Sequence, residues 1–317
     1  MTLVLHVDTS AWTHHIDQLA SRVEGLIPVV KGNGYGFGSA ELIRRASGHS
    51  VLVAVGTEHE LVAVPDDLAA VVLSPTLTPS ERPRTVHTIG NEAHLDVLAR
   101  TGGNAVVKIR SSMNRHGVPA DRAAELVNRC RDRGVEVVAL SIHPPLAGTS
   151  ADHRAEIERL LDIHDSRGGD SSLGVWVSHV EPSDYDALRA AHPGREWRLR
   201  LGTALWHGDK SMLALRADVL ETIAVRSGDV AGYRATTVPF DGTLIMIGCG
   251  SAHGVAPLAD GASPFHFARH RLPLLEPPHM HTSMCLVPAD RPVPAIGEEV
   301  DVQRPLVVTR PDRIEWE

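Results

Sequence analysis

The segment VVKGNGYGFG, residues 29–38, carries the clearest chemical potential in the chain: Lys31 follows an apolar, β-branched run and precedes alternating glycines, Asn33 and Tyr35. A lysine partly shielded from water loses some preference for its charged form, and the neutral amine is a nucleophile that can form a Schiff base with an aldehyde. Lysine is also a rare choice here, since of 31 basic residues only Lys31, Lys108 and Lys210 are lysine. The segment is not a nucleoside-triphosphate loop, because the Gly-x-x-x-x-Gly-Lys-Ser/Thr pattern is absent. Taken alone, it also reads as a glycine-rich turn with a surface lysine. His279 and His281 fall on one face of an extended segment, which invites a metal reading. No third ligand is evident, so no metal is expected.

Something must hold Lys31 rigidly. Up to about residue 215 the chain alternates short apolar runs with amphipathic stretches rich in Ala, Leu and Arg. The runs are 26–30, 51–55, 69–73, 85–89, 105–109, 135–140, 173–178 and 197–201. Between them lie helix patterns such as 120–133, where Asp121 can cap the start and Gly134 ends the helix. Eight strand-helix units without hairpin signals predict a parallel sheet closed into a (β/α)8 barrel, with an open doubly wound sheet as the rival. Beyond about residue 218 the texture changes to short strand patterns broken by Gly, Pro and Asp turns, which predicts a C-terminal all-β domain. The expected division is therefore 1–217 and 218–317. In a parallel barrel the C-terminal strand ends are where catalytic side chains converge, and Lys31 sits at one of them.

Composition narrows the partners. The net charge of -8, with no long Lys/Arg block, leaves no electrostatic footprint for nucleic acid or anionic lipid. No apolar run approaches the roughly 20 residues a membrane-spanning helix needs, and His6 and Asp8 interrupt the opening before a secretory core could form. Three separated cysteines without a Cys-x-x-Cys pair suggest free thiols and a cytoplasmic setting. The expected partner is a small molecule.

Several ordered motifs then resemble the alanine racemase family over nearly the whole chain. VDTSAW (7–12) is similar to the family's opening strand, and VVKGNGYGFG to its cofactor motif, with Lys31 at the Schiff-base lysine and Tyr35 at a tyrosine that contacts phosphate. VVKIRSSMNRHGV (106–118) matches a stretch with a lysine seven residues before an arginine, here Lys108 and Arg115. In the family that lysine is often carbamylated and braces the arginine, which touches cofactor and substrate. LSIHPP places His143 at a histidine stacked by the pyridine ring, and VWVSHV sets Ser178 and His179 at the phosphate side, a partial match. LRLGTALWHG puts Arg200 against the pyridine nitrogen and gives Gly202 and Thr203 as backbone donors to phosphate. An always-charged guanidinium cannot give that nitrogen a proton, which favours simple proton removal and return. HTSMCLV places Met284 toward the substrate carboxylate.

The resemblance implies a pyridoxal 5'-phosphate-dependent amino acid racemase that exchanges the α-proton between two bases, and a homodimer with shared active sites. It also carries departures. The family's second base is a tyrosine of the partner's β domain, and Cys249, in LIMIGCGSAHG, stands in its place, where a thiol of ordinary pKa, about 8.5, can move protons if its neighbours lower that value, the alternative being a small buried residue filling a turn. Cys285 replaces a usual aspartate, and the terminal segment RIEWE lacks a further phosphate contact. A decarboxylase or metal-assisted lyase on the same fold, or a non-catalytic pyridoxal phosphate-binding protein, are the alternatives.

Overall fold

The computed structural model describes residues 2–208 and 210–317, which form two compact units. The chain opens on strand β1 (Leu3–Val7) and helix α1 (Thr9–Arg22). One unit, residues 15–34 and 39–206, then holds eight strands: β2 (Leu26–Pro28), β3 (Leu52–Val55), β4 (Ala69–Val72), β5 (Thr85–Ile89), β6 (Gly103–Lys108), β7 (Val135–Ser141), β8 (Gly174–Val177) and β9 (Trp197–Leu201). All pair in parallel, in the order β2-β9-β8-β7-β6-β5-β4-β3. A single bridge, Val29 to Ala54, closes the ring between β2 and β3. The eight expected runs are these eight strands, and the fold is a (β/α)8 barrel with a further, mostly β unit.

Period-two alternation decides what fills the barrel. Ile27, Val29, Leu52, Ala54, Val71, Val86, Val106, Ala139 and Trp176 form its inner cluster, and full burial of one such aliphatic side chain contributes about 1.5–3 kcal/mol. The next inward position on several strands is polar, and those positions make the mouth. Outside the ring lie α2 (Ser39–Ala46), α3 (Glu92–Thr101), α4 (Ala120–Asp132), α5 (Ser150–Ser166), α6 (Pro182–Ala191) and α7 (Thr203–Trp206). Helix α4 buries Ala123, Leu126, Val127 and Cys130 on one stripe, and Gly134, at φ 74°, takes the left-handed turn that ends it. The helix begins at Ala120, as its sequence suggests, but the cap position is Pro119, so Asp121 lies in the first turn and does not cap. Thr149 does cap α5, accepting the Asp152 N–H at 3.2 Å while Asp152 accepts that of Thr149 at 2.9 Å.

The second unit comprises, among the described residues, 2–14, 35–38, 207–208 and 210–317. Its spine is β10 (Leu213–Val225), thirteen residues long. Strand β1 pairs antiparallel with β10 and parallel with the terminal strand at Arg313–Trp316. The other edge of β10 takes β17 (Glu299–Val302), which leads to short strands at Phe265–Phe267 and His270–Arg271. Beyond a bulge at Val219/Glu221, β10 switches to β13 (Gly242–Ile247), which pairs with β16 (Ser283–Pro288). Two-residue strands Val230–Ala231 and Thr236–Thr237 form β11 and β12, and Phe265–Phe267, His270–Arg271 and Arg313–Trp316 are β14, β15 and β18.

The expected boundary at 217/218 thus falls inside a continuous strand. What changes near 218 is the partner of β10, from β1 and β17 to β13, and the sequence texture registers that switch. The opening strand, read as part of the barrel, belongs to the β unit instead. Among the described residues no helix is long and apolar enough to cross a membrane.

Candidate active site

Strands β6, β7, β8 and β9 bring polar residues to the barrel mouth one position beyond the apolar layer. Lys108 pairs in register with Ser141, and Ile27 with Arg200. Arg200 is buried, and its guanidinium donates to Ser141 Oγ at 2.7 Å, Ile142 O at 2.7 Å, Val177 O at 3.4 Å and Ser178 Oγ at 3.4 Å. None of these acceptors is a carboxylate. Burial and the charge of Arg115 lower its pKa to about 10, which leaves it charged at neutral pH.

Lys108, buried beside it, is the more perturbed cation. Burial, then the charges of Arg200 and Arg115, lower its pKa to about 6, so the amine is neutral at pH 7. Gly117, at φ 126°, allows the following loop to press on this strand end, since a Cβ there would lie 2.8 Å from Lys108 O. Ser112 fastens the same loop through its hydroxyl to Glu156 at 3.0 Å. The loop carries Arg115, exposed, whose charge acts on Lys31, Lys108 and Arg200.

A stability measurement checks the Lys108 assignment. Between pH 6 and about 10 the unfolded chain holds a proton on Lys108 that the folded chain lacks, so folding stability rises with pH through that window. Below pH 6 both states hold it, and the burial penalty is at its largest. Urea unfolding of the parent against Lys108→Met in carbonate-free buffer should show the parent gaining roughly 3–4 kcal/mol relative to the variant from pH 6 to 9. Parallel curves would refute it.

Lys31, at the rim after β2, has its pKa lowered by partial burial and by Arg115 and Arg200, with Glu60 opposing. His143 follows β7. Its Nδ1 meets Ser178 Oγ, its carbonyl accepts Ser111 Oγ at 2.6 Å, and its ring lies 4.4 Å from that of His179. Burial, then the charge of Arg200, push the His143 pKa far down, so the ring is neutral. His179, in the left-handed region at φ 63°, donates from Nδ1 to Pro144 O at 2.9 Å. Gly202 O accepts the Trp206 N–H at 3.0 Å, which sets Thr203 at the start of α7, while the Trp206 indole donates to Val29 O at 2.7 Å.

The structure therefore gathers Lys31, Lys108, Arg115, His143, Ser178, His179, Arg200, Gly202 and Thr203 on the barrel. Tyr35, Cys249 and Met284 belong to the β unit. Tyr35 is buried at φ 55°, and its carbonyl accepts His207 Nε2 at 2.8 Å. Met284 lies opposite Met246 on β16. Cys249 is fully buried by its own chain, and its carbonyl accepts Ser283 Oγ at 2.7 Å. Burial, with Cys285 and Asp312 adding, pushes the Cys249 thiol well up, the reverse of the lowering that acid-base work requires.

Sequence reasoning missed Ser141, which anchors Arg200; its position two residues past the inward-facing Ala139 was the available signal. His279 is engaged by Glu276, which also accepts the N–H groups of Tyr233 and Arg234. Among the described residues a different group, His6, Glu315 and Glu317, has metal-compatible spacing, and there His6 is already ion-paired with both glutamates.

Comparison with known proteins agrees with this architecture. No curated protein matches the chain. Among solved structures it is similar to alanine racemase from Bartonella henselae with covalently bound pyridoxal phosphate, at 16% identity and TM-score 0.73, covering 100% of both chains. It is also similar to alanine racemase from Acinetobacter baumannii, at 14% identity and TM-score 0.70, covering 100% of this chain and 99% of that one. For the Bacillus anthracis enzyme with bound L-Ala-P the values are 17% and 0.73, covering 95% and 85%. The profile of the family described as "Alanine racemase, N-terminal domain" matches residues 7–208. With that match spanning more than half of its length, the chain belongs to this family.

Proposed function

We propose that this chain is a pyridoxal 5'-phosphate-dependent amino acid racemase, resembling alanine racemase in interconverting L- and D-amino acids by α-proton transfer. The observation that carries the proposal is the charge of the barrel mouth. Among the described residues, Glu60 is the one carboxylate whose charge acts on Lys31, Lys108 or Arg200. A chain of net charge -8 has thus kept acids away from a cluster of four basic side chains, of which Lys108 is neutral. That donor set fits a phosphate-bearing cofactor together with an amino acid carboxylate.

In this reading Lys31 carries the cofactor, and Ser178, His179, Gly202, Thr203 and Tyr35 hold its phosphate side. His143 offers a flat neutral ring, Arg200 a fixed positive charge, and Arg115 with Met284 the contacts to substrate carboxylate. Pyridoxal phosphate, when bound, supplies an aldehyde and an electron-withdrawing ring that acidifies the amino acid α-carbon. Lys31 Nζ, its pKa lowered, takes the α-proton on one face and returns it. Lys108, neutral within reach of the charges of Arg200 and Arg115, adds no further charge there, and its free amine is suited to carbamylation. The protein acts as a cytoplasmic homodimer in which the β unit of the partner supplies the opposite-face group, from the paired segments that carry Cys249 and His281. These segments are joined by Ser251 N to His279 O at 2.8 Å and Ala252 N to Met280 O at 2.9 Å.

The burial of Cys249 favours one second reading, a decarboxylase, lyase or carrier that needs no opposite-face base. Incubation of the purified protein with single L-amino acids in heavy water, alanine first, separates them. Racemisation is expected to give the deuterated D-enantiomer on chiral chromatography. Release of carbon dioxide, or neither exchange nor release, would transfer the assignment to the second reading.

A further inference from the structure

We infer that Glu60 is a positioning residue for Lys31: its carboxylate fastens together the loops that follow β2 and β3, and sets a negative charge beside the lysine. The inference rests on the proposed function only in taking Lys31 as the reactive amine.

The barrel ring is weakest between β2 and β3. Every other neighbouring pair forms a ladder, four registered pairs between β3 and β4 and three between β2 and β9. Between β2 and β3 there is one bridge, Val29 to Ala54, with Val30 N donating to Ala54 O at 2.7 Å. Lys31 emerges one residue beyond that hydrogen bond. Glu60 spans the seam just above it. Its Oε1 accepts the N–H of Gly32, directly after Lys31, at 2.9 Å. Its Oε2 accepts the N–H of Gly56 at 2.5 Å and of Thr57 at 3.3 Å, on the loop after β3.

The bond to Thr57 alone would be the local contact by which an acid near a helical start reaches back to its cap. The bond to Gly32 joins residues 28 apart and has no local explanation. Three hydrogen bonds hold the carboxylate in one place, so its charge is fixed relative to the chain on both sides of the lysine. Gly56 makes the approach possible. A Cβ there would lie 2.9 Å from Glu60 Oε2 and 3.2 Å from Lys31 Cβ, so glutamate and lysine converge on space that any side chain would occupy. Of the charges acting on Lys31, two arginines favour its neutral amine and Glu60 alone favours the ammonium. Glu60 thus opposes the loss of the proton that burial and the two arginines promote.

The test follows Lys31 in the full chain without cofactor or substrate. With only three lysines, 13C-lysine labelling gives a simple spectrum, and Lys31→Arg identifies the resonance. In Glu60→Gln, which loses the charge and keeps one carbonyl acceptor, the Lys31 midpoint is expected to move to lower pH. At any pH below that midpoint the neutral fraction then rises several-fold, and the pH profile of adduct formation with pyridoxal phosphate shifts the same way. Gly56→Ala, which crowds the carboxylate away, is expected to move the midpoint in the same direction, and Glu60→Asp to move it less than Glu60→Gln. A purely structural role would lower thermal stability while leaving the Lys31 titration in place. An unchanged midpoint in either folded variant, Glu60→Gln or Gly56→Ala, overturns the inference. The titration requires no turnover, so it is decided separately from whether the protein racemises amino acids.

Discussion

Lys31→Ala is expected to abolish covalent capture of pyridoxal phosphate and to reduce α-proton exchange by about 10⁴-fold or more, since it removes at once the attachment point and the base. Borohydride treatment of the parent after incubation with the cofactor should fix the adduct on Lys31, read by peptide mass mapping. Lys108 is the instructive competitor. Its pKa of about 6 makes it the better nucleophile on charge grounds alone, yet only 5% of its surface is accessible, among the atoms of β6 and β7. Lys31 lies exposed at the rim. Access therefore decides between two amines whose pKa values are both lowered, and an adduct on Lys108 or Lys210 would remove the basis of the proposed function. Lys31→Arg should be as inactive as Lys31→Ala, because a guanidinium keeps its charge where a neutral amine is needed.

The second large effect concerns the opposite face. Cys249→Ala should change racemisation less than ten-fold and cost about 1 kcal/mol in stability, the outcome for a small buried side chain with a raised pKa. His281→Ala should lower conversion between enantiomers by 10²–10⁴-fold while leaving exchange through Lys31 in place, the usual loss for a general acid or base. The neighbouring histidine is a poorer candidate: His253 Nδ1 accepts the Gly250 N–H at 3.1 Å, and its Nε2 is paired with Asp312 at 3.2 Å. His281 is exposed, with its ring 6.0 Å from that of His253. Kinetics of both enantiomers, with deuterium incorporation, measure the two effects together. A collapse in Cys249→Ala with a normal His281→Ala would restore the cysteine to the role its position in the sequence implies.

The barrel was legible because its signal is local. Each strand is a short run of β-branched and small apolar residues, each bounded by turn residues, and alternation then places Lys108, Ser178 and Arg200 at the mouth. The cationic character of that mouth could be anticipated from the scarcity of lysine and the fall of two of three lysines on matching motif positions. What could not be read depends on partners far away in sequence. Leu3–Val7 looks like any barrel strand, and its assignment to the β unit is set by residues 213–217 and 313–316. Cys249 looks like a replaced base, and only tertiary packing shows that its thiol is sealed and raised. Glu60 has no motif at all, because its bond to Gly32 exists only once the ring closes.

The pairing of β1 has a consequence for the order of events during synthesis. The strand is made before either of its neighbours: β10 and β18 emerge more than two hundred residues later. In the interval the ribosome-bound chain can complete every strand of the barrel while Leu3–Val7, wholly apolar save for His6, stays without its edges. Pairings of such long range are slow to form and expose sticky backbone meanwhile. The nascent chain is thus most vulnerable to misassociation after its barrel is finished, and β18 is the strand that covers the remaining edge of β1.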